Sequence, residues 1–255
     1  MLSILIPAFN AAKYIGAAIA SAVLQRVDGG SEILVCDDGS TDATAAIVRG
    51  KMQHIPGLKL FSMGSNQGVC AARNKLLGKI DPLAEFVAFL DGDDVLVDQA
   101  YQPALKILRE AADVQMTVGK MQVVPTHVLD RGGAQLAEHP VTTGVTLSAC
   151  VFRKSLIRRV GLFDLSFTQG EDIDYLLRIR EICTEIVMHD DPVLYYRHHD
   201  ANATSNLTAM RSGFMHALLL HAKRRKADPR LMTGGGMFRL VDPEMLEKAF
   251  KLYGA

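Results

Sequence analysis

The chain has 255 residues, a formal net charge of +0 from 28 basic and 28 acidic side chains, and 49% hydrophobic residues. This apolar content excludes a disordered chain, and the balanced charge gives no attraction to nucleic acid, so we expect no nucleic-acid partner. No apolar run is long enough to cross a bilayer, and the first residues lack the basic start of a signal peptide. We therefore expect a cytoplasmic protein.

The first 113 residues alternate between short apolar strands and helices. Strands are predicted at residues 3–6, 32–36, 58–61 and 86–90, and helices over about 11–25, 43–51 and 69–77. Asn10 and Asp42 have side chains that favour the position capping the first and second helices. Such alternation is typical of βαβ units with a parallel sheet, in which all four strands end at the same edge.

The pattern changes after about residue 113. We predict longer strands at 114–124 and 143–152, joined by a loop around Gly132 and Gly133, then helices at 155–160 and 170–181. Strands at 185–188 and 193–198 are separated by a turn at 189–192, and a helix covers 204–226. A flexible joint at 233–236 and a helix from 242 to 254 complete the chain. The sequence thus predicts an α/β fold with a mixed second half and a helical C-terminal extension.

The fourth strand ends abruptly in Asp91-Gly92-Asp93-Asp94. A turn at Gly92 aims Asp91 and Asp93 at one point, where their charges repel unless a cation lies between them. Carboxylate oxygens suit Mg²⁺ or Mn²⁺ bound to substrate phosphates. A solvated acidic turn is the alternative, since Asp and Gly are favoured turn residues, and the motif alone leaves both open.

Three further polar segments follow strands at the same edge. Pro7-Ala8-Phe9-Asn10 presents backbone groups that can grip a base and a ribose, or it contains only a helix cap. Asp38 can accept a hydrogen bond from a base or a ribose hydroxyl, or it only shapes a turn. In the segment 66–74, Gly68 permits close backbone approach, and Arg73 can offset phosphate charge, although a surface salt bridge is the commoner use of one arginine.

Two segments of the second half carry candidate reactive groups. Glu171 and Asp172 open a helix, where acids favour the dipole, and one of them can act as a general base. Asp174 and Arg178 are spaced as a stabilising pair, whereas Glu171 and Asp172 have no such partner. His198 follows a strand and can complete a metal shell or contact a diphosphate, although a single histidine more often does neither.

The basic cluster at 223–226 is most often a solvated helix end. With Met215 and Leu218–Leu220 upstream, it can instead rest on an anionic membrane surface, which would place the protein at the inner face of the membrane.

Six segments in order, at 3–10, 32–42, 66–74, 89–94, 160–164 and 170–174, resemble family 2 glycosyltransferases of the GT-A fold, over roughly residues 1–200. The resemblance implies a Rossmann-like, mostly parallel sheet flanked by helices, with a nucleotide-binding half (1–113), an acceptor-binding half (114–205) and an extension (206–255). It implies inverting transfer from a nucleotide sugar, most simply a UDP-sugar, with Mn²⁺ or Mg²⁺. A carbohydrate or lipid-linked acceptor in polysaccharide synthesis follows from family habit.

The same resemblance assigns residues to roles. Asp172 matches the catalytic base, with Glu171 beside it. Asp91 and Asp93 match the Asp-x-Asp motif that contacts ribose and metal, and His198 falls near a histidine that some members place beside the diphosphate. The nucleotide-binding residues are then Pro7, Ala8, Phe9, Asn10, Asp38, Asn66, Arg73, Asp91 and Gly92.

Two alternatives remain at the level of sequence. Residues 90–96 also resemble the Asp-x-Asp signature of haloacid-dehalogenase-like phosphohydrolases, in which Asp91 would be the nucleophile. That motif normally lies on the opening strand, whereas here complete βα units precede it. A non-catalytic nucleotide-sugar-binding domain is the second alternative, although such a scaffold needs none of Asp91, Asp93 and Asp172. The sugar, the acceptor and the oligomeric state stay open.

Overall fold

The computed structural model describes residues 1–130, 136, 139, 141–143, 146–199, 202 and 206–231. The predicted joint at 233–236, the helix from 242 to 254 and the loop residues Gly132 and Gly133 lie outside the described residues.

The first half is a parallel sheet with crossover helices, as predicted. Its strands are β1 (Leu2–Ala8), β2 (Ser31–Asp37), β3 (Leu58–Ser62) and β4 (Phe86–Phe89), and its helices α1 (Ile15–Val23), α2 (Thr44–Met52) and α3 (Val69–Leu77). All neighbouring pairs in the spatial order β3-β2-β1-β4 are parallel. The carboxyl ends of these strands therefore share one edge, where α/β sheets bind their ligands.

The second half adds mixed strands to the same sheet. It contains β5 (Val95–Leu96), α4 (Tyr101–Glu110), β6 (Met116–Pro125), α5 (Thr126–Asp130), β7 (Val141–Thr142), β8 (Cys150–Arg153), α6 (Lys154–Val160), α7 (Glu171–Ile182), β9 (Ile186–His198) and α8 (Leu207–Ala227). In the described residues the nine strands follow the order β3-β2-β1-β4-β8-β6-β9-β5, with β7 beside β6. β8 runs antiparallel to β4 and β6, while β9 is parallel to β6.

The core lies on both faces of this sheet because successive residues of a strand point to opposite sides. Ile4 and Ile6 pack with the α1 side, and the intervening Leu5 packs with the side of α3 and α7. All three are fully buried, and each such side chain contributes about 1.5–3 kcal/mol. The sheet thus holds α1 and α4 on one face and α3 and α7 on the other.

The predicted helix caps are wrong in detail. Asn10 does not cap α1, which begins at Ile15; it adopts φ 47°, and its Oδ1 accepts the Thr41 N–H at 2.9 Å. Asparagine tolerates this left-handed conformation, so its side chain is used to join two loops. Asp42 lies one residue before the cap position of α2, although its carboxylate accepts N–H groups from Thr44 at 2.9 Å and Ala12 at 3.0 Å.

Two predicted boundaries in the second half are also wrong. The strand expected at 143–152 is a 3₁₀ turn at Leu147–Ala149 followed by β8, because the Thr146 hydroxyl accepts the Ser148 N–H at 3.2 Å and closes a local turn. The turn expected at 189–192 lies inside β9. The strands β6 and β9 stay paired on both sides of this segment because their register shifts on either side of Lys120.

Of the helices in the described ranges, none combines the length and apolar composition that spanning a bilayer requires.

Candidate active site

A buried arginine links the donor-side and acceptor-side acids. Arg73, on α3, is only 2% exposed. Its Nη1 donates to Asp172 Oδ1 at 2.6 Å and to Glu171 Oε1 at 3.0 Å, and its Nη2 donates to Asp91 Oδ1 at 2.8 Å. The predicted surface salt bridge for Arg73 is therefore wrong, because its guanidinium is buried. Glu171 and Asp172, for which no partner four residues away was expected, pair instead with this arginine from another helix.

Local structure explains how α3 and α7 meet. The Asn74 side chain, next to Arg73, donates to the Phe163 carbonyl at 2.9 Å and accepts the Phe163 N–H at 2.7 Å. These two bonds hold the loop that leads into α7. Gly170, with φ 82°, turns the chain into that helix, so Glu171 and Asp172 enter the first turn beside the guanidinium.

The electrostatics of Asp172 suit a proton acceptor. Burial, helped by the charges of Glu171 and Asp91 and opposed by Arg73 and the Leu147 N–H, raises the pKa of Asp172 to about 7. Its carboxyl is still 18% exposed. Oδ2 accepts the Leu147 N–H at 3.2 Å, a weaker contact than the guanidinium makes with Oδ1. A carboxylate that titrates near neutral pH and reaches solvent is well matched to general-base catalysis.

Asp91 lies across the guanidinium from Asp172. Its N–H donates to Ser148 Oγ at 3.2 Å, and its Oδ2 is 3.5 Å from the same hydroxyl. Ser148 belongs to the 3₁₀ turn that also supplies the Leu147 N–H to Asp172. One turn therefore contacts both acids.

The next two acids have different surroundings. Asp93 Oδ2 is 3.1 Å from His199 Nε2, and burial, followed by the charge of Asp91, raises the pKa of Asp93. Asp94 is 1% exposed and accepts the Arg197 N–H at 2.8 Å, while Arg197 Nε donates to the Asp93 carbonyl at 2.7 Å. Asp94 and Arg197 thus fix the end of β9 against the acidic turn.

The predicted metal residues are not brought together as one group. Within the described ranges, no three carboxylate, imidazole or thiol side chains converge as a metal site. Asp91 contacts Arg73, and the histidine beside Asp93 is His199 instead of His198. His199 Nε2 lies at hydrogen-bond distance from Asp93, and both histidines line one cleft. The register of β9 against its neighbouring strands decides which histidine lies beside Asp93, and local sequence does not reveal that register.

Asp93 and His199 nevertheless fit a divalent cation with two protein ligands. Their facing atoms are 3.1 Å apart, and the charge of Asp91, after burial, raises the pKa of Asp93, so a cation placed here would relieve the repulsion between the two carboxylates. Mg²⁺ and Mn²⁺ commonly take one or two carboxylates and complete their shell with water and substrate phosphates.

The predicted nucleotide-binding residues divide into buried and exposed sets. Pro7, Ala8 and Gly92 are buried, and a Cβ at Gly92 would lie 3.1 Å from the Pro7 carbonyl oxygen, so the acidic turn packs directly on the end of β1. Phe9 is 45% exposed, and Asn10 and Asn66 are exposed near the same strand ends.

Asp38 is 3% exposed, and its two oxygens accept the N–H groups of Gln67 at 2.9 Å and Gly68 at 2.8 Å. It therefore shapes the loop before α3.

A cleft of about 500 Å³ is lined in part by Lys13, Tyr14, His127, Asp130, His198 and His199, and the last of these contacts Asp93. The Tyr14 and His199 rings stack with centroids 4.7 Å apart, and the Arg197 guanidinium lies 4.9 Å from the Tyr14 ring. The stacked pair gives the cleft a rigid aromatic wall next to the candidate metal ligands.

Residues 3–160 match the family model described as glycosyl transferase family 2. The chain belongs to glycosyl transferase family 2. This membership confirms the family suggested by the six motifs, and it leaves the haloacid-dehalogenase-like interpretation without support.

Curated relatives are similar to this chain over different portions of its length. The UDP-Glc:alpha-D-GlcNAc-diphosphoundecaprenol beta-1,3-glucosyltransferase WfaP of Escherichia coli is 27% identical over 81% of this chain and 80% of its own length. The chondroitin synthase of Pasteurella multocida is 28% identical over 75% of this chain and 21% of its own. An uncharacterized glycosyltransferase of Haemophilus influenzae is 32% identical over 42% of each chain. The match thus spans less than half the length of the last two relatives.

Solved structures confirm the GT-A fold of the family 2 chain. TarS 1–349 from S. aureus in complex with UDP-GlcNAc has a TM-score of 0.72 at 22% identity, covering 98% of this chain and 72% of that chain. Mannosyltransferase PcManGT from Pyrobaculum calidifontis, in complex with GDP-Man and Mn²⁺, has a TM-score of 0.64 at 19% identity, covering 89% and 64%.

Proposed function

We propose that this family 2 chain transfers a sugar from a UDP-sugar to an acceptor hydroxyl, with inversion of the anomeric carbon, in the synthesis of a cell-surface polysaccharide. The observation that carries the proposal is the Arg73 bridge, which sets Asp172 opposite Asp91 across one guanidinium. An acid that follows the fourth parallel strand lies where α/β folds bind nucleotides, and an acid across from it is placed to serve a second substrate. The relatives support the donor and the pathway, since WfaP is named for UDP-Glc and TarS binds UDP-GlcNAc.

In the proposed reaction Asp172 takes the proton of the acceptor hydroxyl on Oδ2, the oxygen with only the 3.2 Å contact to Leu147 N–H. The acceptor oxygen forms a bond to the anomeric carbon as the bond from that carbon to the diphosphate oxygen breaks, so the electron pair leaves with UDP. A single displacement inverts the configuration. General-base assistance of this kind contributes about 10²–10⁴-fold to rate.

The remaining residues hold the reacting groups in position, bind the nucleotide and balance charge. Arg73 holds the Asp172 carboxylate in place through Oδ1 and keeps Asp91 facing the site. We propose that Phe9, Asn10 and Asn66, exposed near the strand ends, contact the nucleotide. When bound by Asp93 and His199, a divalent metal would neutralise charge on the departing diphosphate.

The acceptor is proposed to be a carbohydrate, free or lipid-linked. The name of WfaP specifies an acceptor on diphosphoundecaprenol, and that relative is covered over 80% of its length.

A panel of UDP- and GDP-sugars, supplied with Mn²⁺ and oligosaccharide acceptors, tests the proposal by release of nucleoside diphosphate. We expect acceptor-stimulated release of UDP from one UDP-sugar, and NMR of the product should show the inverted anomer. Product with retained configuration would contradict the single displacement, and donor binding without transfer to any acceptor would favour a non-catalytic domain.

A further inference from the structure

The long helix α8 has an unusual charge pattern. Its 21 residues include Arg211, Lys223, Arg224, Arg225 and Lys226 and no Asp or Glu, although the whole chain has a net charge of +0. Arg224 is used within the fold, because it pairs with Asp174 and Glu181 of α7, each at 2.9 Å. The expectation of a wholly solvated basic end is therefore wrong for this arginine.

One face of α8 packs on α7 and on the loop before it. A Cβ at Gly213 would lie 2.1 Å from the Gln169 carbonyl oxygen, Ala217 is fully buried, and His221 Nδ1 is 2.6 Å from Glu181 Oε1. Leu218 and Leu220 pack against the core. These contacts fix which side of the helix is left to solvent.

The opposite face carries Arg211, Met215, Leu219, Lys223 and Lys226, all exposed and spaced four, four, four and three residues apart. This spacing places them in one row along the helix, which we call the basic stripe of α8. Met215 is 55% and Leu219 58% exposed. Within the described part of the chain, no carboxylate pairs with the three cations of the stripe.

The chemistry of the stripe selects its partner. Two apolar side chains between cations match the boundary between anionic head groups and acyl chains, where amphipathic helices rest. A second copy meeting the same stripe about a two-fold axis would bring like charges together. A purely electrostatic partner such as nucleic acid gives Met215 and Leu219 nothing to bury against.

We propose that the basic stripe of α8 docks this protein on an anionic membrane surface. The inference goes beyond the proposed reaction and does not depend on it, because docking needs neither donor nor acceptor. Since α8 packs along α7, whose first turn carries Asp172, docking would also hold the proposed base close to the bilayer.

Sedimentation of the full chain with vesicles tests the docking. We expect binding to vesicles of phosphatidylcholine with one quarter phosphatidylglycerol and none to phosphatidylcholine alone. Lys223→Gln with Lys226→Gln should weaken binding about 30-fold, since each cation near an anionic surface contributes about fivefold. Met215→Gln with Leu219→Gln should weaken it about tenfold, because the apolar contact is lost.

Matched variants on other surfaces serve as controls. Arg49→Gln with Lys106→Gln removes the same charge, and Met52→Gln with Leu83→Gln removes exposed apolar side chains elsewhere. These four substitutions should leave binding within about twofold. Circular dichroism confirms that each variant is folded.

Three outcomes would overturn the proposal: no binding of the full chain to anionic vesicles, as expected if residues 232–255 occupied the stripe; equal losses in the control variants; or a solution dimer that the stripe variants dissociate. Release of UDP with a water-soluble acceptor is measured in parallel. Its persistence in stripe variants that no longer bind vesicles would support docking as a separate property, and its absence from the unmodified chain would count against the proposed reaction alone.

Discussion

Arg73 carries the charge balance of the candidate active site. One guanidinium, 2% exposed, faces three carboxylates that come from two distant segments of the chain. Buried charge is tolerated only when it is paired, so this arrangement fixes Asp91, Glu171 and Asp172 relative to one another. A substitution at Arg73 that removes its positive charge would therefore leave these carboxylates without a cation to balance them.

Substitutions at Arg73 separate its charge from its geometry. Because Arg73 lowers the pKa of Asp172, Arg73→Gln should move the acidic limb of the pH–rate profile upward by about 1–3 units. Arg73→Lys keeps the charge but loses the two-armed contact, so it should lower kcat while leaving that limb nearly in place. If the Arg73→Gln variant unfolds at the same temperature as the unmodified chain and its pH profile is unchanged, the contact between Arg73 and Asp172 would be contradicted.

The two adjacent histidines offer a direct comparison. His199→Ala removes the imidazole that lies 3.1 Å from Asp93 and should raise the Mn²⁺ concentration needed for UDP binding by at least about tenfold. His198→Ala should change it less than threefold. Titration calorimetry with UDP at several Mn²⁺ concentrations measures both, and the reverse order of effects would favour His198 as the metal ligand.

At the scale of elements, α7 is the part that places the base, and α8 supports it. The Gly170 and Gly213 backbones meet closely, and Asp174 and Glu181, both buried, pair with Arg224 across the two helices. Removing one partner of a buried ion pair is costly, so α8 is firmly attached to α7. The segment that positions Asp172 thus depends on a helix beyond the matched family region, 3–160.

Gly213→Ala tests this support. A Cβ there would lie 2.1 Å from the Gln169 carbonyl oxygen, so the helices must separate, and we expect a loss of about 1–3 kcal/mol in the free energy of unfolding. Since a misplacement of about 1 Å can cost 10²-fold in rate, turnover should fall as well.

Gly50→Ala in α2 is the control for Gly213→Ala, because no atom lies within 4 Å of its Cβ position. It should stabilise by up to about 1 kcal/mol, as alanine favours the helix. Equal effects of both substitutions in urea unfolding would refute the close contact of α7 and α8.

At the scale of the whole molecule, the parallel half could be predicted from the sequence because its signals are local. Short continuous apolar runs such as residues 3–6, followed by polar turns and helical segments, predict βαβ units on their own. The 3₁₀ turn found within the strand expected at 143–152 could not be predicted, because it involves one local contact, from the Ser148 N–H to the Thr146 hydroxyl. The turn expected at 189–192 failed because bulged pairing between β6 and β9 absorbed it.

In the candidate site, too, local motifs reveal some residues, whereas contacts between distant segments stay hidden. Asp91, Asp93 and Asp172 could be named from motifs, and their roles stay predictions. The Arg73 contacts span 98 and 99 residues to Glu171 and Asp172, so no local pattern could reveal them. Asn74, Ser148 and His199 were missed for the same reason, although Asn74 lies inside a matching motif. The division into donor and acceptor halves also stays a prediction.

The central claim is that Asp172 removes the proton of the acceptor, and Asp172→Asn tests it most directly. Calorimetry with UDP and Mn²⁺ should give donor-site affinity within about twofold of the unmodified chain, while acceptor-dependent UDP release falls at least about 10²-fold. Asp98→Asn, an exposed acid elsewhere, should change neither. The unmodified chain should lose rate about tenfold per pH unit below about 7, the pKa of Asp172, because only the ionised carboxylate accepts a proton. Undiminished turnover in Asp172→Asn would contradict the account.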